Sequence, residues 1–210
     1  MSPPALVVGH RSAVWLSSDG EIEQLTLKKA ASNAAAERPF VVHMPSTANR
    51  LGIGPFQAFD LLSLFAFVRP ASFCLPTPIG IADVLGLRKP KDLFEQAAIL
   101  PEAARLLLAE LSISNADIDV ADLAGIMSEA GWSWSPAVSH AIAKTGVSNA
   151  KVTGSGFEIW RRLPVWKEEP PEGEPGSQPV AANEARQRLA LMLGDGAEMR
   201  PQQSDYSSAC

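Results

Sequence analysis

Ala5-Leu6-Val7-Val8-Gly9-His10-Arg11-Ser12-Ala13-Val14-Trp15-Leu16-Ser17-Ser18-Asp19-Gly20-Glu21-Ile22-Glu23-Gln24-Leu25 holds two apolar runs, a polar turn and a third run that mixes apolar and charged residues. Short β-branched runs bounded by turn residues read as strands. Asp-Gly between two of them is a strong hairpin signal, because both turn positions tolerate positive φ. The opening is therefore expected to be a small antiparallel meander. Lys28 to Glu37 is Ala-rich and predicts a helix, Phe40-Val41-Val42-His43-Met44 reads as a buried strand, and Phe59 to Val68 starts as a strand end and continues as an apolar helix stopped by Pro70. Strands alternating with helices predict an α/β fold, a small mixed sheet with helices.

Beyond this point helical patterns dominate. Ile79 to Leu87 suits a short helix, and Asp92 to Ile99 a longer one. A further helix is expected to begin at Pro101, ahead of Arg105 to Leu111, since proline suits a first helical position. Ala116 to Ala130 places Leu123, Ile126, Met127 and Ala130 on one face, and the pattern stays helical up to Lys144. Gly154 to Trp166 is aromatic and basic. Lys167 to Pro179 has four prolines and almost no apolar side chain, so it cannot bury enough surface to offset the entropy of ordering and reads as a disordered linker. The expected organisation is an α/β domain with a helical second half over residues 1–166, a Pro/Glu-rich linker over 167–181, and a further helical segment over 182–210 that includes Asn183 to Leu193.

The 210 residues are 46% hydrophobic and 20% charged, enough for one sizeable core and a small second unit. A net charge of −5 argues against a surface that grips nucleic acid unaided, because neutralisation of phosphates by Lys and Arg supplies most non-specific affinity. Two cysteines, Cys74 and Cys210, make neither a disulfide framework nor a metal quartet and fit a reducing cytoplasm. The start lacks a basic segment followed by an apolar stretch, and no apolar run is long enough for a membrane span.

Individual candidates mostly favour structural roles. His10, His43 and His140 lack the i, i+4 pairing of a zinc helix, and their sequence separation favours structural or surface roles. Asp117, Asp119 and Asp122 follow Ser114-Asn115 and are expected to cap and charge a helix start. Gly154-Ser155-Gly156 lacks the strand–turn–helix setting of a dinucleotide loop and reads as a turn. Trp132, Trp134, Trp160 and Trp166 could stack on single-stranded bases near Arg161 and Arg162. Few other basic residues surround them, so core and interdomain packing is the favoured reading.

Arg200-Pro201-Gln202-Gln203-Ser204-Asp205-Tyr206 resembles the adenine-recognising Q motif upstream of the phosphate-binding loop in superfamily 2 DNA helicases of the DinG/XPD type. Phe157 to Trp166, the Pro/Glu linker, Glu184-Ala185-Arg186-Gln187-Arg188-Leu189 and this motif follow one another as in the alphaproteobacterial branch of DinG-like helicases. Val7-Val8-Gly9-His10-Arg11 and Ala58 to Pro70 are also similar to that branch. The resemblance implies ATP-driven DNA unwinding by a complete protein of which this chain is the N-terminal piece. The amide of Gln203, with Gln202 as competitor, would pair with the adenine edge, and Arg200 would support the base. The remainder of the motor would complete the site for ATP and Mg²⁺, since Gly-x-x-x-x-Gly-Lys-Ser/Thr occurs nowhere in the chain. An iron–sulfur cluster, found in many relatives, would also be held elsewhere. DNA is the implied partner, and no membrane is.

The first half also resembles the DnaQ-like exonuclease fold, of the RNase H type, in the order of its elements. Two-metal hydrolysis needs several carboxylates around a pair of cations. Gly9-His10-Arg11 stands where that family has its first Asp-x-Glu, and no Asp follows His43 where the next ligand is expected. The resemblance thus implies a degenerate, non-catalytic domain. Two rival readings remain open, a standalone interaction module and a relic exonuclease-like nucleic-acid binder.

Overall fold

The structure, a computed structural model, describes residues 2–113, 118–146, 180–194, 198 and 200–209. The chain divides into two compact units, Met1–Val165 and Trp166–Cys210. Among the described residues the fold is α/β, with five strands in one mixed sheet and nine helices.

The meander forms as the sequence implies. β1 (Ala5–Val8), β2 (Ala13–Leu16) and β3 (Ile22–Leu25) pair antiparallel, Val7 opposite Val14 and Trp15 opposite Glu23. Gly20 takes a positive φ of 96° in the second turn. The Ser17 hydroxyl bonds the Asp19 carboxylate there, which holds that carboxyl below its ordinary range. α1 (Leu27–Ala36) follows, capped by Thr26, whose hydroxyl accepts from the Lys29 amide. The chain then crosses to the far side of β1, where β4 (Phe40–Val41) and β5 (Phe59–Asp60) pair parallel, giving the order β3-β2-β1-β4-β5.

Between β4 and β5 lies α2 (Met44–Leu51), a helix where the sequence suggested that the Phe40 strand continues to Met44. Pro45 in its first turn and the left-handed Gly52 at its end bound it. The β-branched run misled because only Phe40 and Val41 pair as a strand.

Alternation along the strands sends side chains to two faces. Leu6, Val8, Ala13, Trp15 and Val41 pack with Ala30, Ala34 and Leu51 of α1 and α2. Ala5, Val7, Val14, Phe40 and Val42 face a larger cluster. It contains residues of α3 (Leu61–Val68), α4 (Pro78–Val84), α5 (Leu93–Ile113), α6 (Ile118–Glu129) and α7 (Ser135–Ala143). α5 is the spine of this layer, packing against β1, β2 and β4 and against α3, α4 and α7. It runs unbroken through Pro101, where the sequence suggested two helices. Internal proline costs about 3 kcal/mol. Ala97, Leu100, Ala103, Ala104, Leu107 and Leu111 are buried on one continuous face, and each buried Leu is worth about 1.5–3 kcal/mol, so burial wins.

Arg69 ties three helices together at the far end. Its Nε and Nη2 donate to the Glu110 carboxylate at 2.9 and 2.8 Å, and its Nη1 donates to the Val84 carbonyl at 2.8 Å. Hydrogen bonding to Glu110 raises the guanidinium's pKa further.

The second unit, by itself, is a pair of packed helices, α8 (Ala182–Leu193) and α9 (Pro201–Ala209). Arg186 donates from Nη2 to the Ser208 hydroxyl at 3.1 Å. The segments 114–117 and 147–179 lie outside the described residues, and with them the expected linker through Pro179, the Gly154–Trp166 stretch and its Gly154-Ser155-Gly156 turn. No described helix is long and apolar enough to cross a membrane.

Burial pushes the Cys74 thiol up from its ordinary value. The folded chain thus holds a proton that the unfolded chain releases above about pH 8.5. Stability from this group is complete below that pH and declines as pH rises through the folded value. The urea-midpoint advantage of the wild type over Cys74→Ala should therefore shrink as pH rises past about 8.5, and a constant gap would contradict the assignment.

Candidate functional site

Asp60, at the end of β5, organises the ground beneath the candidate site. One carboxylate oxygen accepts from the amides of Leu62 and Ser63 at 3.0 and 3.1 Å, capping α3. The other accepts from the Met44 amide, at the start of α2, at 2.7 Å. The Asp60 carbonyl takes the Ser63 hydroxyl at 2.8 Å and the Trp134 indole N–H at 2.7 Å. Leu62 also donates to the Val42 carbonyl at 2.9 Å. One residue thus fixes the ends of two strands and the starts of two helices.

Trp134 is buried against Phe40 and Phe59, with ring centroids 5.6 and 5.1 Å away. Trp132 packs on Phe67 at 5.1 Å and donates to the Ser63 hydroxyl at 3.0 Å. Both are therefore packing residues, as the sequence favoured. Trp160, Trp166, Arg161 and Arg162 lie outside the described residues. Asp122, expected to charge a helix start, is buried within α6. Its position along the helix brings it onto the core-facing side, whereas Asp117 and the Asp119 side chain lie outside the described residues.

A crevice of about 620 Å³ opens at the carboxyl ends of β1 and β4. From β1 the chain turns to β2 and β3 on one side, then crosses to β4 and β5 on the other. Ligands of open α/β sheets bind at such a reversal, because strand ends and helix starts converge there while connections leave in opposite directions. The crevice is lined by Gly9 and His10 after β1, by His43, Ser46, Thr47 and Arg50 around α2, by Thr77 before α4 and by Gln96 of α5, with apolar walls that include Val8, Val42 and Leu93. A Cβ added at Gly9 would stand 2.7 Å from Leu93 Cδ1, so glycine permits this close approach.

Several of the polar side chains are held by hydrogen bonds. Arg50 donates from Nη1 to the Val8 carbonyl at 2.9 Å, spanning α2 and β1. His43 Nδ1 lies 2.7 Å from the Ser46 hydroxyl, and Thr47 donates to the His43 carbonyl at 3.0 Å. His10 and His43, read from the sequence as far apart and in structural or surface roles, share this crevice, whereas His140 is exposed on α7. No pattern in the sequence pointed to Ser46, Thr47, Arg50, Thr77 or Gln96. Their convergence depends on α2 and on the packing of α5.

No acidic side chain among the described residues lines the crevice. Among the described residues no group of three or more His, Cys, Asp or Glu could hold a metal ion. Asp60, although near β4, has its carboxylate engaged by backbone amides.

Gln202, Gln203 and Arg200 gather at the start of α9. Both glutamines are exposed, the Gln203 backbone N–H donates to the Arg200 carbonyl at 3.0 Å, and the Arg200 guanidinium lies 3.4 Å from Glu198. No family model, curated protein or solved structure matches the chain.

Removing the Asp60 carboxylate should strip three amides of a charged acceptor. Asp60→Ala is expected to cost about 2–4 kcal/mol and Asp60→Asn roughly half as much, read as shifts in the urea midpoint. A loss under about 0.5 kcal/mol in the alanine variant would contradict this role.

Proposed function

We propose that this chain is the N-terminal part of a DinG-like, ATP-dependent DNA helicase acting in the cytoplasm. In this reading the first unit is a non-catalytic relative of the RNase H and DnaQ-like exonuclease fold, and the second presents the adenine-reading end of the motor. The observation that carries the first half is the sheet order β3-β2-β1-β4-β5, with β2 alone antiparallel to its neighbours and α1 and α2 in the two crossovers. That order supports descent from the exonuclease fold. The crevice at the carboxyl ends of β1 and β4 falls where such a fold works, and its lining of Gly9, His10 and Arg50, with no carboxylate among the described residues, supports the loss of two-metal chemistry.

For the second half, the support is the placement of exposed Gln202 and Gln203 in the first turn of α9, free to meet a base. An amide there can match the adjacent donor and acceptor of adenine. These residues fit the base of ATP and nothing more. The phosphates and Mg²⁺ would be held by other segments of the helicase, which supplies the hydrolysis and the grip on DNA.

Two measurements test the reading. The chain should degrade no single-stranded DNA with millimolar Mg²⁺ or Mn²⁺, and metal-dependent cleavage that follows the protein through purification would overturn the non-catalytic assignment. In the complete protein, Gln203→Ala should lower ATP affinity roughly ten- to a hundredfold, for a lost paired contact of about 1–3 kcal/mol, and should reduce discrimination against GTP. Gln202→Ala should do less. An unchanged ATP KM and ATP/GTP ratio in both variants would remove the adenine assignment.

A further inference from the structure

We infer that the crevice between β1 and α2 is a metal-independent receptor for the phosphate of a nucleotide. The inference goes beyond the helicase reading and does not depend on Gln203.

The lining is one-sided in its chemistry. Among the described residues it offers the Arg50 guanidinium, the imidazoles of His10 and His43, the hydroxyls of Ser46 and Thr77, and the Gln96 amide, with no carboxylate among them, while Thr47 spends its proton on the His43 carbonyl. Arg50 makes no ion pair among the described residues, so none of these neighbours neutralises its charge. Its one hydrogen bond among the described residues, from Nη1 to the Val8 carbonyl, fixes the guanidinium at the crevice while leaving Nε and Nη2 to donate. His43 uses Nδ1 toward Ser46, which leaves Nε2 without a described partner. The Arg50 charge would repel a cation, and the groups around it can donate to an anion.

Phosphate fits better than a carboxylate. A carboxylate has two oxygens in one plane, satisfied by one guanidinium. The crevice instead distributes donors over the end of β1, the start and last turn of α2, the loop before α4, and α5. A tetrahedral group with three free oxygens can meet donors from several directions at once. Volume decides the rest. About 620 Å³ falls in the usual range for small-molecule sites and far exceeds a bare phosphate. The apolar walls formed by Leu6, Val7, Val42, Pro76, Pro78 and Leu93 offer a nucleoside a surface to cover. Charge on the whole chain is −5, so attraction to the phosphate is local and should weaken as salt rises.

The test is an amide NMR titration of the whole chain in EDTA with thymidine 5′-monophosphate, inorganic phosphate, thymidine and a short oligothymidylate. Saturable shifts at Gly9, His10, His43, Ser46, Thr47 and Thr77 are expected with the monophosphate, weaker ones with inorganic phosphate and none with thymidine. Tighter binding of the oligomer at the same amides would make a nucleic-acid strand the source of the phosphate, and its exclusion would make it a free nucleotide. Arg50→Ala should weaken monophosphate binding at least tenfold and Arg50→Lys less. Gln96→Glu, which keeps the side-chain shape and adds a negative charge, should abolish binding with the spectrum of the fold intact. Absence of saturable shifts at the crevice with about 10 mM monophosphate, binding that appears only with added metal, or full binding by the folded Gln96→Glu chain would each overturn the inference.

Discussion

The carboxylate of Asp60 satisfies amides of two different helices, Met44 at the start of α2 and Leu62 and Ser63 at the start of α3. Helix starts leave amides unpaired, and a charged acceptor is the strongest local remedy. Because one side chain serves both, the two helices cannot move independently of β5. The backbone carbonyl of the same residue adds Trp134, which stacks on Phe40 of β4. The parallel half of the sheet, the helix between its strands and the second helical layer therefore meet at one residue.

That junction determines where Arg50 stands. α2 starts at the Asp60 carboxylate and carries Arg50 in its last turn to the Val8 carbonyl. The crevice is consequently bounded by β1 on one side and by a helix of fixed pitch and origin on the other. A site whose polar groups sit on anchored elements loses little freedom when a ligand arrives. Asp60, the acidic residue at the end of β5, is bound to backbone amides and is not available for cations.

Much of the α/β layer was legible because its signals are local. The run Ala5–Val8, the Asp19-Gly20 turn and the strand-to-helix step at Asp60 each carry their own pattern. α2 was not legible, since Pro45, Ser46, Thr47 and Asn49 dilute its good helix formers, and its start is secured by Asp60, sixteen positions away. Pro101 misled for the opposite reason. It is a strong local break that the burial of Leu100, Leu107 and Leu111 overrides. The crevice was hidden because its lining comes from four separated segments, and His10 and His43 meet only once β1 and β4 lie side by side. Gln202 and Gln203 were found from a resemblance, and their exposure on α9 is compatible with a contact made to something outside this chain.

Residue-resolved native-state hydrogen exchange tests the central role of Asp60 most directly. If Asp60 joins the two helix starts to the sheet, the amides of Met44, Leu62 and Ser63 should exchange only through global unfolding, with the same opening free energy as the paired amides of β1 and β2. Lys28, in the first turn of α1 and exposed, should exchange far faster. Exchange of Met44, Leu62 and Ser63 at the rate of Lys28, while the strand amides stay protected, would contradict the account.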